Sequence, residues 1–141
     1  MCFTKRVRLV VLLVVAAALL AGTPALAAPK KAGGTAPLKP PGTSDEPNAS
    51  GRAKFAGLWV QDPGLGWYAV GDLTVTCGGL TPGATYRTTA GSFTASTTGE
   101  GTATIGCVIF GSLFISVARE EAQPDGSVER VVVLEGTLKV R

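Results

Sequence analysis

Two short segments decide the class of fold. Leu73, Val75 and Cys77 alternate with Thr74 and Thr76, and Ala103, Ile105 and Cys107 alternate with Thr102 and Thr104. Apolar residues at a period of two mark half-buried β-strands. Nothing after residue 27 shows the 3.6-residue period of an amphipathic helix. Turn chemistry punctuates the remainder. "TYRTTAGSFTAST" reads as two strands about an Ala90-Gly91 turn, and "TGEGT" is a further turn. "LFISVARE" and "VERVVVLEGTLKV" flank Pro124-Asp125-Gly126, which predicts a hairpin, with Leu138 and Val140 in a closing strand. Seven or eight short strands result, and the expected class is an all-β sandwich.

The amino-terminal residues describe an address rather than a fold. Lys5, Arg6 and Arg8 precede an apolar run from Leu9 to Ala21, followed by "GTPALA" with small residues at Ala25 and Ala27. This is the pattern of a secretory signal peptide, residues 1–27, cleaved after Ala27. An uncleaved signal anchor is the alternative, because about 20 apolar residues can span a bilayer. Gly22 and Pro24 favour cleavage, since they break a helix where a peptidase needs extended chain. Cys2 lies ahead of the apolar run, whereas a lipid-anchor cysteine would follow it. The expected location is secreted, extracellular or in the cell envelope, with membrane contact only through the signal peptide before cleavage.

Export changes how charge and cysteines are read. Of 13 Lys and Arg, three fall in the leader, while all 10 Asp and Glu lie beyond it. A balanced chain gives a nucleic acid no basic face to bind, and no such partner is expected. Two cysteines remain, and an even count in an oxidising compartment reads as a disulfide, Cys77 to Cys107. Residues 28–52 hold five prolines and four glycines but one large aliphatic residue, Leu38. That composition reads as a disordered tether. The β-sandwich domain is then expected over 53–141.

Between the strand that ends near Cys77 and the next lies "LTPGATY", in which Pro82 and Gly83 suit a sharp corner below Leu80, and Tyr86 can bury its ring. The Leu-x-Pro-Gly-x-x-Tyr pattern resembles the tyrosine corner of fibronectin type III and other immunoglobulin-like modules. The resemblance implies an immunoglobulin-like sandwich with Leu80, Pro82, Gly83 and Tyr86 as its structural corner. "GLTPGATYR" with "FTASTTGEGTATI" also looks like small modules of secreted bacterial proteins. A fainter likeness, in the Gly-Leu, Gly, Tyr cadence, is to the secreted carriers of enediyne antibiotics.

Histidine is absent, which removes Ser-His and Cys-His nucleophiles, histidine bases and the usual zinc clusters. No catalytic or metal-binding residue and no cofactor is expected, and Glu120 and Glu121 read as a solvated hairpin tip. The functional candidates lie in "LWVQDPGLGWYAV". Trp59, Trp67 and Tyr68 beside Asp62 either fill the core or form a ligand-binding platform. "CVIFGSLFI", 107–115, is either a doubly buried strand or an exposed apolar face. The expected function is a non-enzymatic module that binds or serves structurally at the cell surface, with cell-wall polysaccharide or a surface protein as partner. A soluble carrier or inhibitor with an aromatic-lined cleft is the alternative.

Overall fold

The computed structural model describes residues 29–141, so the expected signal peptide, 1–27, lies outside the described residues. Eight strands follow one another: β1 (Lys31–Leu38), β2 (Ser50–Asp62), β3 (Gly66–Gly78), β4 (Thr85–Thr88), β5 (Gly91–Thr94), β6 (Gly101–Ile109), β7 (Ser112–Ala122) and β8 (Val128–Lys139). They form two antiparallel four-stranded sheets, ordered β1-β2-β3-β6 and β5-β4-β7-β8. Among the described residues no helix is long and apolar enough to cross a membrane.

The alternation read from the sequence sets the faces. Phe55 from β2, Leu73 and Val75 from β3, Ile115 and Val117 from β7 and Leu138 from β8 meet in one core. Each is at most 1% exposed, so this single apolar layer between the sheets is the main source of stability. The run 107–115 matches neither expectation for it: Cys107, Ile109 and Ile115 point into the core, whereas Phe110 and Phe114 are exposed. Phe110 and Gly111 separate β6 in one sheet from β7 in the other.

The Leu80–Tyr86 stretch carries the chain from β3 in the first sheet to β4 in the second. Gly83 adopts φ +76°, a left-handed conformation that suits glycine. Leu80 and Tyr86 are buried, and the Tyr86 hydroxyl accepts a 2.9 Å hydrogen bond from the Thr81 N–H. The Tyr86 ring stacks on Phe93, with centroids 5.6 Å apart.

Two expectations are corrected. The first is the disordered tether over 28–52. Residues 31–38 form β1, which pairs with β2 from Lys31↔Leu58 to Leu38↔Gly51 and buries Ala32, Ala36 and Leu38. Its far side closes on β8. The Gly33 N–H donates to the Arg141 carbonyl and the Arg141 N–H to that of Gly33; Lys39 and Glu135 make the same exchange, with all four bonds at 2.9–3.0 Å. The glycines that made the segment look flexible permit this approach. A Cβ on Gly34 would run into the Lys139 carbonyl, and one on Gly136 would lie 2.6 Å from that of Pro37.

The second correction is the disulfide: Cys77 and Cys107 are not bridged. Both sulfurs are buried as the alternation requires, but their strands are antiparallel neighbours in one sheet. Each cysteine stands toward the carboxyl end of its strand, so the two fall at opposite ends of the ladder. Cys77 pairs with Gly101 and Cys107 with Gly71, six positions apart. That spacing is roughly 20 Å, against the ~7 Å limit between Cα atoms of a bridge. Burial pushes the Cys77 thiol up to about 11.

Candidate functional site

β2 and β3 are the longest strands, 13 residues each, paired from Ser50↔Gly78 to Asp62↔Gly66. Their neighbours stop short. β1 accompanies β2 only as far as Leu58, and β6 accompanies β3 only as far as Ala69. Beyond that line the hairpin projects as a two-stranded ribbon. Gly57 and Gly71 face one another at its base so closely that a Cβ on either would strike the other strand's backbone.

The register places the four candidate ligand-binding residues. Trp59 stands opposite Ala69, and Trp67 opposite Gln61, so both tryptophans share the ribbon face that continues the inner side of the sheet. Trp59 packs partly against the core, while Trp67 is 55% exposed. With Lys30, which enters just before β1, they line a recess of about 240 Å³. The Lys30 carbonyl fixes this corner by accepting a 2.8 Å bond from the Trp59 N–H.

Tyr68 and Asp62 do not join them. Tyr68 pairs with Val60 on the opposite face, where its ring lies 5.6 Å from Phe110 at an interplanar angle of 43°. Asp62 Oδ1 accepts bonds from the N–H groups of Gly64 (2.8 Å) and Leu65 (2.9 Å). Its carboxylate holds the turn. Leu65, at the apex, is 66% exposed. Lys30, Leu65 and Phe110 are the participants that sequence reasoning missed. Phe110 had a signal in the apolar run, whereas Lys30 was hidden in the supposed tether.

A second polar constellation sits at the other end of the sandwich. Glu46, only 7% exposed, accepts hydrogen bonds from the Tyr86 hydroxyl (2.7 Å), the Thr81 N–H (2.8 Å) and the Thr81 hydroxyl. Arg119 lies 3.5 Å from its other oxygen and also bonds Glu121 at 2.9 Å. Burial works to raise the Glu46 pKa, but the Thr81 and Tyr86 hydrogen bonds and the Arg119 charge outweigh it and hold the carboxyl below its ordinary value. With its oxygens occupied, Glu46 is a clasp that pins the 39–49 loop to the corner. Glu120 is engaged as well, 3.4 Å from Arg130 and 3.7 Å from Arg87. Among the described residues no three His, Cys, Asp or Glu side chains gather in a way that could hold a metal ion. No family model, no curated protein and no solved structure matches this chain.

Proposed function

We propose that this chain is an exported, non-enzymatic β-sandwich module of the immunoglobulin-like kind, which binds at the cell surface through its hairpin end. One observation carries the reading: Trp67 is left 55% exposed beside Trp59 and Lys30, on a ribbon that no neighbouring strand covers. A large aromatic surface kept in water costs free energy, and recognition is the use that offsets it. The corner geometry of Leu80–Tyr86 supports the immunoglobulin-like assignment. The non-enzymatic reading draws support from the absence of histidine and from the acids at the far end, where Glu46, Glu120 and Glu121 are committed to arginines.

The recess favours a surface binder over a soluble carrier. At about 240 Å³ it is smaller than the ~300–1,000 Å³ cavities that enclose drug-sized ligands. Co-sedimentation of the purified protein with an insoluble cell-envelope preparation, beside a Trp67→Ala variant shown by circular dichroism to be folded, tests the reading. Retention of the parent and loss of the variant are expected. Equal behaviour of the two would overturn it.

A further inference from the structure

Among the described residues, exposed aromatic rings and unpaired basic side chains gather at one end of the sandwich. The turn joining β2 to β3, the turn joining β6 to β7, the entry to β1 and the exit from β8 all lie at one end, as the pairings Ala69↔Ile109, Ser112↔Lys139 and the Gly33–Arg141 bonds require. This end carries Leu65, Trp67 and Phe110 at 66%, 55% and 48% exposure, with Tyr68 against Phe110. It also carries Lys30, Lys31, Lys139 and Arg141. The opposite end holds Asp45, Glu46, Glu100, Glu120, Glu121, Asp125 and Glu129, several of them paired with Arg87, Arg119 and Arg130. The one acid at the hairpin tip, Asp62, is turned into its own loop.

We infer that the hairpin end docks on the surface of an anionic lipid bilayer. The inference rests on the binding reading above and names its partner. Tryptophan and tyrosine favour the bilayer interface, where an apolar ring meets a polar handle. Leucine at the apex enters the acyl boundary, and lysines extend from the rim to phosphate headgroups. A wall polysaccharide would call for ring faces flanked by carboxylate, amide or hydroxyl side chains, whereas this recess is lined by Lys30, Trp59 and Trp67.

Sedimentation and tryptophan fluorescence with vesicles test this, using a chain that starts at Ala28 and keeps every strand but lacks the apolar leader. Vesicles of phosphatidylcholine mixed with phosphatidylglycerol should bind the chain and shift its emission to the blue. Pure phosphatidylcholine should bind it less, and salt should narrow the difference. A Leu65→Ser, Trp67→Ser variant should bind at least about tenfold more weakly, the minimum expected for withholding two large apolar side chains from the acyl region. Val128→Ser, which removes an equally exposed side chain (57%) at the acidic end, should bind like the parent. Failure to bind anionic vesicles, or an equal loss in the Val128 variant, overturns the lipid assignment. If the parent then still sediments with envelope material and the Trp67 variant does not, the broader binding reading survives without it. If neither material retains the parent, both fall.

Discussion

At the residue scale the molecule turns on Glu46. Its carboxylate joins a loop, a corner and Arg119, and its folded pKa lies below the ordinary value. A depressed folded pKa contributes stability above the unfolded pKa, near 4.5, and loses it as pH falls through the folded value. Glu46→Gln should therefore cost about 1–3 kcal/mol at neutral pH. The gap between variant and parent should close in acid as the parent's own Glu46 protonates. Urea unfolding of both proteins at neutral and acidic pH checks this, and a gap that widens in acid would contradict it. Tyr86 was legible in the sequence because the Leu-x-Pro-Gly-x-x-Tyr spacing is local. Glu46 was not, because its partners lie 35 and 40 residues away and its surroundings, "SDEPNAS", look like solvated loop.

At the scale of elements, hairpins announced themselves and the first strand did not. Ala90-Gly91 joins β4 to β5, and Pro124-Asp125-Gly126 joins β7 to β8, because turn residues advertise their own geometry. β1 escaped notice because its buried side chains are alanines and one leucine, and because its glycines read as flexibility when they serve contact with β8. In the candidate site the residue types were legible, but which rings share a face depends on register, which the sequence does not print. A consequence follows for truncation. A chain beginning at residue 53 would lack β1, the start of β2 and Glu46, leaving the outer edge of β2 and the facing edge of β8 without a strand to pair with. It should show no cooperative thermal transition and no near-ultraviolet dichroism, whereas a chain beginning at Ala28 should show both.

At the scale of the whole molecule, hydrogen bonds and apolar burial hold the sheets together, with no disulfide between Cys77 and Cys107. The strand order runs continuously from β6-β3-β2-β1 across the β1–β8 seam into β8-β7-β4-β5, and the core fills the space between. Since Cys77 and Cys107 are buried and not bridged to each other, reductant should leave the melting temperature unchanged. Iodoacetamide should label Cys77 only when the chain is unfolded, and mass spectrometry after labelling with and without denaturant reads this directly. A fall in melting temperature on reduction would show that the register separating the two thiols is wrong.

The seam also sets a schedule. A ribosome makes β1 long before β8, and for nearly the whole of synthesis the outer backbone of β1 has no strand to meet. Contacts between such distant parts of a chain are slow to form and come late. Only when Glu135 to Arg141 have emerged can the Lys39–Glu135 and Gly33–Arg141 exchanges close. A copy cut short before that point keeps an open edge, so an unfinished molecule offers a second unfinished copy a ready backbone to pair with, and a finished one does not.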